Sequence, residues 1–317
     1  MSQKPRIVFM GTPEFAVANL KKLVENNYPV VGVVTAVDKP AGRGKKLRES
    51  AVKKYAKSVG IPVLQPVNLK SEAFNKELQA LQPDLQIVVA FRMLPEVVWR
   101  LPKLGTFNLH ASLLPDYRGA APINWAIING EKETGVTTFF IDDKIDTGEI
   151  ILQEKVAIDP EDNASTLHDK LMQKGSNLVL KTVELIQQGK VKTKKQPQTD
   201  FSKKAPKLHK ENTRIDWSKS AKSIHDFIRG LAYYPGAWTQ IKWQDKEPQN
   251  ILIYQSDFIH ETHPYPIGKV IAGKKEMKIA VPDGFIYPKI VKMQGKKQMD
   301  IQSFLNGLRD KKDISMI

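Results

Sequence analysis

The chain has 317 residues, 41% of them hydrophobic, with six histidines, no cysteine and a formal charge of +15. Such a length can bury a sizeable core and fits two domains better than one. The lack of cysteine excludes disulfides, a thiol nucleophile and thiolate zinc sites. No stretch approaches the roughly 20 apolar residues of a membrane span, and Met1 to Phe9 turns strand-like too soon after Lys4 and Arg6 for a secretion signal. A cytoplasmic protein without membrane contact is expected.

Charge is unevenly spread. Residues 1–189 hold 24 Lys/Arg against 21 Asp/Glu, whereas residues 190–317 hold 25 against 13. A polyphosphate partner would exploit that asymmetry through counterion release, and a plain solubility surface has the same look.

In chain order, Arg6–Met10 reads as a strand, Pro13–Asn26 as a helix and Pro29–Ala36 as a strand. Next comes the loop Asp38–Arg48, with Gly42, Gly44 and five cations, including Arg43, Lys45 and Lys46. Helices are predicted near Ser71–Leu81 and Pro122–Ile128, and strands at Leu85–Ala90, Thr106–Leu109 and Val136–Ile141. Continuous apolar runs such as Ile87-Val88-Val89-Ala90 suit a parallel sheet buried on both faces, so the first half is α/β. Ligands of such sheets collect beyond the carboxyl ends of the strands. A helix over Ala164–Gln188 closes this part.

Residues 189–210 contain eight Lys and two Pro, the composition of a solvated linker. The predicted division is residues 1–189 as one domain, 190–209 as a basic linker and 210–317 as a second domain. In the latter a helix at Lys219–Gly230 precedes short strand-like runs at Trp238–Trp243, Asn250–Asp257 and Lys278–Val281, a pattern suited to a small β-barrel.

Chemistry concentrates in Phe107-Asn108-Leu109-His110. On a strand, residues at i and i+2 share a face, so Asn108 and His110 set an amide and an imidazole side by side at a strand end. Such a pair can supply an oxyanion donor and a proton-transfer group, or merely satisfy local backbone. A second strand runs into Asp142-Asp143-Lys144-Ile145-Asp146-Thr147-Gly148, where a carboxylate could face the imidazole or the acidic loop could be a solvated turn. The pair His260 and His263 lies in a Pro-rich segment and reads as a solvated turn rather than a metal site.

Ser112-Leu113-Leu114-Pro115-Asp116-Tyr117-Arg118-Gly119-Ala120-Ala121-Pro122 resembles the signature of formyltransferases that use 10-formyltetrahydrofolate. Asn108, His110 and the Asp146 of Ile145-Asp146-Thr147-Gly148 fall on that family's catalytic Asn, His and Asp. Met10-Gly11-Thr12-Pro13-Glu14-Phe15, Arg214-Ile215-Asp216-Trp217-Ser218 and Tyr234-Pro235-Gly236-Ala237-Trp238 are similar to its methionyl-tRNA branch. The resemblance implies a doubly wound, Rossmann-like, mostly parallel sheet followed by an OB-like barrel. It also implies 10-formyltetrahydrofolate as formyl donor, no metal, and methionyl-initiator tRNA as acceptor, with the enzyme a monomer. Folate contacts are implied for Ser112, Leu113, Leu114, Pro115, Phe91 and Arg92. Arg92 departs from the pattern, because the family typically has glycine after the aromatic, and this puts backbone geometry or pocket charge at that point in question.

The methionyl-tRNA branch carries a Gly-Arg-Gly-Lys-Lys insertion like Gly42–Lys46, which implies acceptor-stem contacts for Arg43, Lys45 and Lys46. Arginine can fork onto phosphate or base edges there, while the lysines add charge. Phe15 is either a neighbour of the methionine side chain or a core residue. Trp217, Tyr233, Tyr234, Trp238 and Trp243 read as core more readily than as stacking platforms. The same signature also resembles glycinamide ribonucleotide and sugar-nucleotide formyltransferases and a formate-releasing hydrolase domain, which differ in what surrounds it.

Overall fold

A computed structural model describes residues 3–41, 46–197, 203–244, 246–308 and 313–317. In chain order the elements begin β1 (Ile7–Gly11), α1 (Glu14–Glu25), β2 (Val30–Val34), β3 (Lys39–Ala41), β4 (Lys46–Arg48), α2 (Ala51–Ser58), β5 (Val63–Leu64), α3 (Glu72–Ala80) and β6 (Leu85–Val89). They continue with α4 (Glu96–Trp99), β7 (Thr106–His110), β8 (Arg118–Gly119), α5 (Pro122–Ile128), β9 (Glu133–Phe140), β10 (Ile150–Ala157), α6 (Ala164–Gln187) and β11 (Lys204–Ala205). The remainder is α7 (Ala221–Leu231), β12 (Ala237–Trp243), β13 (Gln249–His260), β14 (Val270–Ala272), β15 (Met277–Val281), β16 (Gly284–Met293), β17 (Met299–Asp300), α8 (Ile301–Asn306) and β18 (Ile314–Met316). The chain divides into two compact units, residues 1–119, 133–157 and 168–204 in one and 120–132, 158–167 and 205–317 in the other.

The first unit is built on a seven-stranded sheet in the order β10-β9-β7-β6-β1-β2-β5. Strands β5, β2, β1, β6 and β7 are parallel, and β9 and β10 run antiparallel at one edge. Every residue of β1 and β6 is buried, as expected of strands covered on both faces. Helix α1 buries Phe15, Ala16, Asn19, Leu20 and Leu23, one stripe at helical spacing. Helix α2, which periodicity did not reveal, starts where the Ser50 hydroxyl accepts from Lys53 N at 3.0 Å. Chain order reverses about β1, with β2 on one side and β6 on the other, so the carboxyl ends of β1, β6 and β7 form the crevice of an open α/β sheet.

The predicted open loop Asp38–Arg48 is flanked by strands instead: β3 and β4 pair antiparallel, with Lys39 opposite Arg48 and Ala41 opposite Lys46. Arg43 and Lys45 lie outside the described residues, and Lys46 opens β4.

In the second unit the strands run β14-β15-β16-β13-β12-β18, with β17 on β16, all antiparallel. The ends of this sheet meet. Met316 N donates to Gly268 O at 2.8 Å, and Lys269 bridges Ser315. Gly268 has φ 80°, and a Cβ there would lie 2.4 Å from Met316 O, so closure needs glycine. The barrel wraps Ile241, Ile251, Ile253, Ile279 and Ile286 around the apolar face of α7, carried by Ile224, Ile228 and Leu231. The fold is therefore the doubly wound α/β sheet plus small barrel that the sequence led one to expect. Among the described residues, no helix is long and apolar enough to cross a membrane.

Candidate active site

β7 ends where two polar side chains share one face. His110 is 7% exposed, and its Nε2 lies 2.8 Å from the carbonyl oxygen of Tyr117. A carbonyl can only accept, so Nε2 carries the hydrogen and Nδ1 is the nitrogen free to gain or give a proton. Nδ1 sits 3.8 Å from Asp146 Oδ2, both side chains nearly buried. That separation gives charge attraction without a hydrogen bond. Two residues earlier, the buried Asn108 Oδ1 has no hydrogen-bond partner among the described residues. Such an orphan amide oxygen is rare and calls for a ligand or a functional reason.

Asp146 reaches His110 from the loop between β9 and β10. Its backbone is left-handed, with φ 56°, and its Oδ2 accepts from Gly119 N at 3.0 Å. Within the loop, Asp142 Oδ1 accepts from the Thr147 hydroxyl at 2.7 Å and from Lys144 N at 3.1 Å. At Gly148 a Cβ would fall 1.6 Å from Phe140 O, so any side chain would push the loop off the sheet. Arg118 lies alongside and donates to Gln196 Oε1 at 2.5 Å. Burial lowers the pKa of its guanidinium, and the charges of Asp146 and Asp142 oppose that shift.

The signature that follows β7 is a self-satisfied turn. Ser112, fully buried, donates through its hydroxyl to Asp116 O at 2.6 Å, and Leu114 N donates to Thr137 Oγ1 at 3.2 Å. The Thr137 hydroxyl donates to Ser112 O at 2.7 Å, while Gln153 Nε2 donates to Leu114 O at 2.8 Å. Ser112 and Leu114 thus hold the turn's shape; Leu113 and Pro115 are half-buried, and Leu113 packs against Gly135 of β9. Thr137 and Gln153 escaped sequence reading, because each is one of several polar residues on its strand and nothing local singles it out.

Phe91 is half-buried, and the Arg92 guanidinium lies 5.6 Å from its ring centre. Arg92 donates through Nη1 to Val67 O at 2.9 Å and through Nη2 to Pro66 O. The left-handed residue of this loop is Ala90, with φ 48°, so arginine at position 92 meets no glycine-requiring backbone. With Val67–Lys70 and Met93–Pro95, Arg92 lines a groove of about 440 Å³. A folate is compatible with these residues in that Asn108 Oδ1 lacks a donor among the described residues and the apolar Phe91 and Pro115 are only half-buried.

Phe15 is buried, its ring 5.3 Å from that of His168 in an edge-on contact. The aromatics of the second unit split. Trp217 and Trp243 are core, Trp238 lies under the cations of Lys210 and Arg214, and Tyr234 is 88% exposed. His263 Nε2 lies 2.8 Å from Val281 O, and His260 pairs with Asp283 at 3.1 Å. Among the described residues no group of three potential metal ligands occurs.

Comparison with known proteins defines the class. Residues 5–183 match the formyl transferase family model and residues 207–309 its C-terminal domain model, so the chain belongs to the formyl transferase family. The branch follows from individual relatives. A methionyl-tRNA formyltransferase of Flavobacterium johnsoniae is 57% identical over 306 residues, covering 96% of this chain and 97% of that protein. One from Parabacteroides distasonis is 54% identical over 312 residues, covering 96% of each. Among solved structures, an N-formyltransferase from Helicobacter canadensis in complex with folinic acid and dTDP-3-aminofucose aligns over 90% of this chain and 98% of that one. Its TM-score is 0.66 and its identity 24%, a likeness of fold alone.

Proposed function

We propose that this enzyme transfers the formyl group of 10-formyltetrahydrofolate to the amino group of methionyl-initiator tRNA, giving N-formylmethionyl-tRNA for translation initiation, as a cytoplasmic monomer. The acceptor rests on relatives of 57% and 54% identity over almost the whole chain. The observation that carries the chemistry is the buried Asn108 Oδ1, which has no partner among the described residues, beside an imidazole whose Nδ1 lies 3.8 Å from Asp146 Oδ2.

The folate supplies the formyl carbon and, in N10, the leaving nitrogen. Asn108 donates through its amide to the formyl oxygen as that oxygen becomes anionic, and its Oδ1 accepts from the attacking amine. His110, held by the Tyr117 carbonyl, takes up or gives a proton at Nδ1. Asp146 stabilises the imidazolium through charge at 3.8 Å, which leaves the Nδ1–H direction available to the reacting group. The proton lost by the amine is in balance with the one N10 gains. Phe91, Arg92 and Ser112–Pro115 form the folate site. Residues 1–189 act as the catalytic part, 190–209 as a basic linker and 210–317 as the tRNA-binding part, with Arg43, Lys45 and Lys46 contacting the acceptor stem.

Sugar-nucleotide formyltransfer is the competing reading, and the second unit does not argue against it, since the Helicobacter canadensis structure aligns across nearly the same span. The test is direct: 10-formyltetrahydrofolate is supplied with methionyl-initiator tRNA, an amino-sugar nucleotide or glycinamide ribonucleotide. Formyl should appear on the tRNA; transfer to either small amine at a higher kcat/KM than to tRNA overturns the proposal.

A further inference from the structure

Composition assigns Thr193–Gln196 to a solvated linker, yet these residues are bound to the strand that follows the Asp146 loop. Ile150 and Lys194 exchange both backbone hydrogen bonds at 2.9 Å, and the Thr193 hydroxyl donates to the Glu149 carboxylate. The pairing sets Gln196 against the loop. There its Nε2 donates to Asp146 O at 3.0 Å and to Gly148 O at 2.8 Å, while its Oε1 accepts from Arg118. One neutral side chain thus spends its whole amide on this spot.

The loop has reason to need it. Asp146 is a non-glycine residue in the left-handed region, a conformation that persists only where its surroundings impose it. Gly119 N holds the carboxylate from one side, but nothing in that bond fixes the peptide from which the side chain departs. The two carbonyls on either side of Thr147 are the handles that do, and Gln196 grips both. Being neutral, it adds no charge beside His110 and Asp146; a lysine or glutamate in its place would.

We infer that Gln196 is a positioning residue for Asp146, and that the segment joining the two halves of the chain sets the catalytic carboxylate as well as linking. The inference rests on Asp146 being the catalytic carboxylate. Loss of two good hydrogen bonds should slow single-turnover formylation about tenfold, with the KM values for tRNA and folate unchanged.

A double-mutant cycle on the full-length enzyme tests this, using Gln196→Met, Asp146→Asn and the pair. Gln196→Met removes both donors at similar length, and Gln196→Leu removes them with a shorter neutral side chain, so either variant carries the test if the other folds poorly. Both should be about tenfold slower in wild type and add almost nothing in the Asp146→Asn background, because groups acting as a unit are not additive. A wild-type rate in these variants, a raised tRNA KM with kcat intact, or a full further loss on top of Asp146→Asn would each overturn the positioning role alone. A wild-type rate in Asp146→Asn itself would overturn the catalytic reading and the inference together.

Discussion

The strand-end trio and the basic half of the chain differ in their physics, and under the proposed function they would do different work. The side chains of His110 and Asp146 come from two segments, are nearly buried and are held by directional bonds at set distances, with the half-buried Asn108 beside them. Residues 190–317 carry 25 Lys/Arg against 13 Asp/Glu, and cations such as Lys210 and Arg214 lie over the ring of Trp238. Bond-making depends on placement to a fraction of an ångström, whereas attraction of a polyanion depends on charge density over a surface. Conditions that weaken one should therefore spare the other.

Salt should separate them most widely. Between about 50 and 200 mM, apparent affinity for methionyl-tRNA should fall by about a thousandfold if the basic surface neutralises many phosphates, with single-turnover rate at saturation unchanged. A flat salt profile would remove the electrostatic account. Asn108→Ala is the reverse experiment. Removing one oxyanion donor should lower the single-turnover rate by about 100- to 1000-fold while tRNA affinity holds, and Asp146→Ala should also be severely slowed. Near-normal rates in both variants would break the mechanism. Arg43→Glu should have a smaller and acceptor-confined effect, raising the tRNA KM about tenfold to a hundredfold. Equal loss of folate binding would show that position 43 does not discriminate between the two substrates.

The same contrast explains what could be read in advance. The buried parallel strands were visible because Ile87-Val88-Val89 and its neighbours are apolar without alternation, and the barrel's core faces because β12 alternates buried and partly exposed residues. Short elements that lean on tertiary contacts, such as β5 and the β3–β4 pair, have no periodicity of their own. The trio was visible as residue types but not as a site: spacing placed Asn108 and His110 on one face, and only the long family signature tied Asp146 to them. Which histidine nitrogen is free, the left-handed turn at Ala90 and the grip of Gln196 depend on long-range backbone contacts that leave no local pattern. Gln196 was hidden further, sitting among lysines whose composition suggests solvent.

The smallest expected effect lies where recognition borrows the precision of the catalytic unit. Asp38 immediately precedes β3, and its carboxylate accepts from Lys53 Nζ at 2.5 Å and from Gln65 Nε2 at 2.8 Å. The hydrogen bond from Lys53, followed by that from Gln65, holds Asp38 below its usual 3.8. A carboxylate with a lowered folded-state pKa contributes stability that is fully present above its unfolded value and disappears as pH falls through the folded one. Urea midpoints of wild type and Asp38→Asn should therefore differ by a constant small amount above about pH 5 and converge below 3.8. If these bonds also steady the strands that flank residues 42–45, Asp38→Asn should raise the tRNA KM slightly at neutral pH with kcat intact. Convergence without any change in KM would mean that the anchor serves stability alone, and that acceptor recognition near Arg43 depends on charge rather than on a fixed frame.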